Sequence, residues 1–500
     1  MILKLEVLQH LLLSTIHFNI FDMYIVFNPQ YSLRSDENRI IIFDSINNDG
    51  WISYIHPIHA IVLATLGRTN NIIETETYLL EEFGIPTNII SSFINSLLDN
   101  KESTHVNFGD LNISFPPETL ITSPEINKRN FEGIIQLSRN MHNVDLKTKR
   151  LNSGPDKIVF MLNNKCAVKC AYCYADTYTK CNEVSFNEFC NIIDECKNIG
   201  VRKIEIIGGD IFVKPNWEEY IGYVLSSGYP IDFLSTKKPL SHSDIYKLII
   251  TGFTGELQIS LDTINPSIHN SLIQTNHDYL SNIKHTLDVL ASFDSLPFRI
   301  KISTVLCSIN ASHDSLFELF SFLNIYSIIS QWDICYALPS FKNCELELCT
   351  SEQELLVKQY INDLISNYNP KFDIVVNSKG ISPKGAELLC ESHKANFRCS
   401  ANISSCFILP DGKVTLCERL YWNSKFIIGD LKQDTLVNIW KSPKAIFLYE
   451  LEKYIDKKSP CFSCAGRKEC YGKNKRCLVN VTLKYGDNIT FPDPSCIKSL

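Results

Sequence analysis

A chain of 500 residues is too long for one ordinary core, so two or three domains are expected. Hydrophobic residues at 45 % and charged residues at 21 % fit a globular protein, and a net charge of −7 with interleaved signs leaves no electrostatic footprint for nucleic acid. No apolar run reaches the roughly 18 to 20 residues that cross a bilayer, so no membrane span is expected.

Residues 1–21 are apolar, but His10, His17 and Asn19 interrupt them and no small-residue cleavage site follows. They read poorly as a signal peptide, and a cytoplasmic chain is expected. Met23 opens a clean alternating segment and is an alternative start. Residues 23–120 read as a small mixed unit. MYIVF and RIIIFDS look like paired strands, and HPIHAIVLATLG has helical spacing ended by Gly67. Two more helices follow, at 74–83 and 86–98, and HVNFGDLNISF closes as a hairpin through Gly109 and Asp110. Strand pair, helices and terminal hairpin form a winged-helix-like order. Residues 116–155, with four prolines, read as a connector.

From 156 the rhythm changes. KIVFM, KIEII, DFLST, ELQIS, FRIKISTVL and WDICYALP are short strand-like runs, separated by helical stretches near 185–199, 216–227, 241–250, 279–293 and 313–325. Six β–α alternations imply a parallel sheet with right-handed crossovers, hence a whole or partial barrel over 156–340. Sites in such folds gather at the carboxyl ends of the strands. A helix is expected at 351–368, and the chain beyond it becomes loop-rich.

The chain holds 19 cysteines, crowded into two regions and absent between Cys196 and Cys307. In a chain of this size such clustering suggests metal ligation by thiolates rather than disulfides. Cys181, Cys190, Cys196, Cys307 and Cys335 fall outside tight spacings and read as core or surface thiols. Residues 163–174 read NNKCAVKCAYCY, placing Cys166, Cys170 and Cys173 on one loop just after the first barrel strand. Three thiolates can hold three irons of a 4Fe–4S cube and leave the fourth iron open for a ligand. Zinc usually wants four ligands, and no fourth stands at a zinc-like spacing.

This loop resembles the C-x3-C-x-φ-C signature of radical S-adenosylmethionine (SAM) enzymes. The resemblance implies that the open iron chelates the cofactor's amino and carboxylate groups, and that reductive cleavage yields a 5′-deoxyadenosyl radical. It places Tyr172 at the aromatic φ position beside the adenine, where a plain packing aromatic is the alternative. The second strand ends in Gly208, Gly209 and Asp210, similar to the family's Gly-Gly-Glu that meets the methionine amino group; alone it would read as a turn. The fourth ends in Ser260 and Asp262, which strand alternation sends to one side. By resemblance these meet the carboxylate and ribose. The family's Thr-Asn-Gly after the third strand is replaced by Ser235, Thr236 and Lys237, and no role is assigned there.

Eight cysteines from 399 onward resemble the SPASM extension of radical enzymes, over about 395–500. The likeness implies two auxiliary 4Fe–4S clusters, one on Cys399, Cys406, Cys417 and Cys477, the other on Cys461, Cys464, Cys470 and Cys496. The C-x2-C pair also suits structural zinc. Glu418 stands where relatives that oxidise peptide side chains place an Asp as base; a solvated surface carboxylate is the alternative.

The fold class is therefore α/β, a partial (β/α)6 barrel with a winged-helix-like front domain and a loop-rich iron–sulfur domain behind. By resemblance the front unit holds a precursor leader, the substrate is a ribosomally made precursor peptide, and a reductase or a flavodoxin- or ferredoxin-type protein supplies electrons. The product would be a cross-link, an epimer or an oxidised side chain. The alternatives are a sulfatase-type side-chain maturase, a non-catalytic peptide-binding scaffold and a zinc-stabilised barrel.

Overall fold

The computed structural model describes residues 24–47, 51–177, 179–274, 278–339, 341, 347–377, 399–472 and 474–499. The apolar start and Met23 lie outside them. The chain divides into two units at Ser153/Gly154.

In the first unit, β1 (Tyr24–Phe27) does not pair with the RIIIFDS strand as the sequence suggests; it runs antiparallel to β7 (Leu120–Ser123). The RIIIFDS strand, β3 (Ile40–Asp44), is instead the centre of a sheet between β2 (Tyr31–Ser35) and β4 (Ile52–Ile55). An all-apolar IIIF run suits a central strand buried on both faces, and Ile40, Ile41 and Ile42 are indeed fully buried. Three helices follow, at Pro57–Thr69, Ile72–Phe83 and Thr87–Leu97, then the hairpin of β5 (Thr104–Phe108) and β6 (Leu111–Phe115).

The first helix passes through Gly67 and ends two residues later, where Asn70 caps it at φ 56°. Gly67 is there for packing: a Cβ on it would lie 3.1 Å from the Phe131 ring. The expected connector is likewise folded. It supplies β7 and the helix Glu132–Arg139, and Arg39, paired at 2.7 Å with buried Asp36, holds the carbonyls of Asp145 and Arg150. The first unit thus runs to 153 rather than 120.

His59 sits inside this core, 4.8 Å from the Phe93 ring, with Nδ1 lacking a hydrogen-bond partner among the described residues. Burial, then the neighbouring His56, lowers its pKa from 6.5 to about 4. Above pH 6.5 both folded and unfolded states are neutral; between 6.5 and 4 only the unfolded state takes the proton. Stability should therefore fall as pH drops through that window, by about 3 kcal/mol at most. The urea midpoint of residues 1–153 measured against pH checks this, and His59→Phe should flatten the profile.

The second unit is built on parallel strands. β8 (Lys157–Met161) leads to the short β9 (Lys169–Cys170), then β10 (Lys203–Ile207) returns beside β8. β11 (Phe233–Thr236), β12 (Glu256–Ser260), β14 (Arg299–Leu306), β15 (Ile329–Tyr336) and β16 (Asp373–Asn377) form a second sheet, parallel in that order, and β13 (Ile273–Gln274) pairs with β9 outside both. The expected helices at 186–198, 217–226, 242–250, 279–291, 313–323 and 351–368 all form. The helices at 186–198, 242–250 and 351–368 each begin with a capping box, on Ser185, Ser241 and Thr350.

Two strands extend the expected six: β16 beyond β15, and β17 (Ser405–Ile408), which joins β8 in parallel. β18 (Lys413–Thr415) and β19 (Gly429–Asp430) continue antiparallel from β17. Alternation sorts the barrel faces. Ile204, Ile206, Leu257, Ile259, Ile300, Ile302 and Ile334 are buried. The alternate positions are polar and paired: Lys157 with Glu205 at 2.6 Å, Lys203 with Asp232 at 2.8 Å, and Lys301 with Glu256 at 2.6 Å. Among the described residues no helix is long and apolar enough to cross a membrane.

Candidate active site

The expected motifs meet at the carboxyl ends of these strands. The loop after β8 is stitched to the loop after β10: Gly209 N donates to Asn163 O at 2.7 Å and Asp210 N to Lys165 O at 2.7 Å. Asn163 Nδ2 returns a bond to Asp210 O at 3.1 Å. Further along, Cys170 lies in β9 opposite Ile273, and Ala171 N donates to Leu272 O at 2.8 Å. The cysteine loop is thus held at both ends by backbone bonds.

Gly209 makes the close approach possible. A Cβ there would stand 2.4 Å from Lys165 O and 2.8 Å from Cys166 Sγ, closer than atoms can pack. Gly208 has more room, 3.3 Å to Asn163 O.

Burial, followed by the charges of Cys173, Asp210 and Cys170, raises the Cys166 pKa, and burial raises that of Cys170 to about 12. Three soft sulfurs that repel one another as thiolates form a donor set suited to a cationic iron core.

Asp262 is the hub of the opposite wall. Its carboxylate accepts from Tyr172 Oη at 2.6 Å, Lys237 Nζ at 2.8 Å and Val305 N at 2.9 Å. The Lys237 ammonium lies 5.6 Å from the Tyr172 ring centroid and also reaches Ser260 O at 3.3 Å. Burial pulls the Lys237 pKa down, but the charges of Asp262 and Cys170 outweigh it and hold it above the ordinary value. Tyr279 Oη fixes the same loop through Lys237 O at 2.8 Å. No role follows for Lys237 from the sequence alone. Its signal was present only in three dimensions, as the cation between an acid and a ring from two other strand ends.

Asp210 departs from expectation. Its carboxylate accepts from Phe212 N at 3.0 Å, Thr236 Oγ1 at 2.9 Å, and Lys237 N and Lys238 N at 2.8 Å each. Four donors occupy an acid that the sequence reading aimed at the cofactor's amino group. The shorter Asp instead ties the third strand end to the second and holds Lys237 in place. Burial raises its pKa against those hydrogen bonds.

Glu418 lines a small cavity with Met161, Tyr174, Ile207, Gly208 and Trp422. The Tyr174 hydroxyl donates a hydrogen bond to it. Tyr174 keeps 36 % of its surface accessible. Burial raises the Glu418 pKa, partly offset by Tyr174.

Of the auxiliary cysteines, Cys461, Cys464, Cys470 and Cys496 all line one cavity of about 200 Å³. Four soft sulfurs on one cavity are a donor set that suits an iron–sulfur cluster and also suits zinc. Cys399, Cys417 and Cys477 line another of about 50 Å³. Cys406 is not among its lining residues, which corrects the expected set. It lies in β17 opposite Ile158, is 1 % exposed and neighbours Cys196 on helix 186–198. Extending the barrel sheet through β17 turns this thiol into the core. Cys307 and Cys335 behave as buried thiols near Asp262.

Residues 161–295 match the radical SAM superfamily, and residues 399–465 match the SPASM iron–sulfur cluster-binding domain. The chain thus carries a radical SAM domain and a SPASM domain and is an S-adenosylmethionine-dependent enzyme. Its cofactors are 4Fe–4S clusters and S-adenosylmethionine. Over 335 residues, 64 % of this radical SAM chain and 67 % of the relative, it is 24 % identical to the antilisterial bacteriocin subtilosin biosynthesis protein AlbA of Bacillus subtilis. In fold it is similar to Streptococcus suis SuiB bound to S-adenosylmethionine, with TM-score 0.62 and 15 % identity over 94 % of this chain and 100 % of that one. The likeness to SuiB bound to precursor peptide SuiA has TM-score 0.60 and 15 % identity, over 95 % of this chain and 100 % of the other.

Proposed function

We propose that this enzyme modifies a ribosomally made precursor peptide by taking a hydrogen atom from one of its residues. The observation that carries the reading is the fold shared over 95 % of the chain with SuiB, solved with its precursor peptide, beside the sequence kinship to the subtilosin protein AlbA. When bound, the cluster and S-adenosylmethionine supply the carbon-centred radical. The chain's own residues do the rest. Cys166, Cys170 and Cys173 hold the cluster, and Gly208 and Gly209 let the main chain approach the cofactor. Asp262 and Tyr172 hold its ribose and adenine end. Lys237 is the cation for its carboxylate, because a second carboxylate beside Asp262 would be repelled. Glu418 accepts the substrate proton at its carboxylate, steadied by Tyr174.

Cys461, Cys464, Cys470 and Cys496 hold one auxiliary cluster, and Cys399, Cys417 and Cys477 hold another. The first unit grips the precursor's leader as an added strand on an edge of the β2–β3–β4 sheet. Tethering then raises the concentration of the core segment at the barrel mouth. Electrons come from a reductase or a flavodoxin- or ferredoxin-type protein in the cytoplasm. A sulfatase-type maturase would use the same barrel but leave the first unit without a task.

Co-expression with a candidate precursor, such as a short peptide found encoded beside the gene, followed by mass spectrometry, tests the proposal: a mass shift on the peptide is expected. Removing residues 1–153 should weaken peptide binding at least about tenfold while leaving peptide-independent cofactor cleavage intact. Unchanged binding would remove the leader-holding role.

A further inference from the structure

Charge is distributed unevenly along this acidic chain. Residues 450–500 hold ten Lys and Arg against six Asp and Glu, in a chain of net charge −7. The acids of this segment are consumed locally. Glu450 pairs with Lys453 at 2.6 Å, Glu469 with Lys475 at 3.2 Å, and Glu452 lies 3.7 Å from Arg467. Asp487 pairs with Lys425. Asp493 is buried and accepts from Cys477 N and Ser495 N. Asp456 caps Lys458 N at 2.8 Å.

The lysines are left over. Lys457 and Lys458 are exposed just before Pro460 and Cys461; Lys468 is exposed between Arg467 and Cys470; and Lys498 itself lines the cavity of the four cysteines. None of the four has an ion-pair partner among the described residues. The same segments carry two apolar side chains turned to solvent, Phe462 at 43 % and Ile497 at 76 % exposure, and Ile497 lines the cavity beside Lys498.

Exposed apolar side chains and uncompensated lysines on the very segments that line a cysteine cavity have the make-up of a transient redox interface. Such interfaces are small, below about 1,200 Å², and rely on opposite charge for rapid encounter. We infer that this face is the docking surface for an acidic protein that carries single electrons. The inference rests on the proposed cluster at Cys461, Cys464, Cys470 and Cys496. In each encounter the carrier is oxidised by one electron and the four-iron centre is reduced by one, with no bond made or broken on the chain. An anionic membrane would also attract lysines, but it gives no reason for them to cluster on the segments that carry these four cysteines.

The test uses the reconstituted full chain and a purified bacterial flavodoxin as probe, with binding read by calorimetry at low ionic strength. The variant Lys457→Glu/Lys458→Glu/Lys468→Glu should weaken flavodoxin binding at least about tenfold, and about 0.5 M salt should erase the difference. Phe462→Ser should weaken it at every salt concentration. Cofactor cleavage driven by dithionite, which needs no docking, should be unchanged in all variants. Full iron with unaltered flavodoxin affinity overturns the docking face alone. Iron short by one cluster in the parent protein overturns the reading of the cavity and the docking face with it. Loss of binding to phosphatidylglycerol vesicles with flavodoxin affinity unaltered would assign the lysines to a membrane and likewise overturn the inference.

Discussion

Gly209→Ala is expected to cost the enzyme its first cluster. The added methyl carbon would fall 2.4 Å from Lys165 O, 2.7 Å from Lys165 C and 2.8 Å from Cys166 Sγ. Two of these atoms are backbone in a segment pinned by bonds from Gly209 N and Asp210 N, so neither side can yield without breaking them. The cysteine loop must move, and a cluster tolerates little displacement of its ligands. Iron bound at this site should drop to near zero, and cofactor cleavage by about a hundredfold or more. Gly208→Ala is the control. Its Cβ would meet Asn163 O at 3.3 Å, a contact that a shift of a few tenths of an ångström relieves, so most of the iron should remain. Iron analysis and cleavage rates on both variants make the comparison.

Lys237→Met should separate cofactor binding from cluster binding. The substitution keeps the stem of the side chain and removes the ammonium that lies 2.8 Å from Asp262, leaving a buried carboxylate with only Tyr172 and Val305 N as partners. Breaking one side of a buried pair costs about 3–5 kcal/mol. Part of that appears as lost stability and part as lost affinity for S-adenosylmethionine, which should weaken about a hundredfold by equilibrium dialysis. Iron content should hold, because no cysteine ligand is touched. Decarboxylated S-adenosylmethionine gives the sharper reading. If Lys237 meets the cofactor's carboxylate, this analogue should bind parent and variant nearly alike. A loss of equal size for both compounds would mean that Lys237 acts only by holding Asp262 and Tyr172.

The barrel was legible in the sequence because its helices and strands carry clean periods of their own. Ser185, Ser241 and Thr350 announce helix starts, and the β–α rhythm leaves little choice of topology. The cysteine loop was legible because three thiols at tight spacing have few other uses. Pairings between distant segments were not. Nothing local joins Tyr24–Phe27 to Leu120–Ser123, and the IIIF run gives no sign of which two strands will flank it. Gly67 looked like a helix stop but is the space that admits Phe131. The hydrogen bonds of Asp210 and Lys237 were hidden for a similar reason. An acid after a Gly-Gly pair suggests a ligand contact, while only the fold shows that the third strand end presents Thr236, Lys237 and Lys238 to that acid. Cys406 fitted the cysteine count, but a strand joining β8 carries it into the core.

The central claim is that a radical formed at Cys166, Cys170 and Cys173 takes a hydrogen from a peptide. Deuterium transfer tests it most directly. Anaerobically reconstituted, reduced enzyme would be incubated with S-adenosylmethionine and the precursor peptide identified by co-expression, made from perdeuterated amino acids. The account predicts deuterium in the 5′-deoxyadenosine and its absence with Cys170→Ala, which should form none of that product. Unlabelled 5′-deoxyadenosine from the parent enzyme, formed at the same rate with and without peptide, would contradict it.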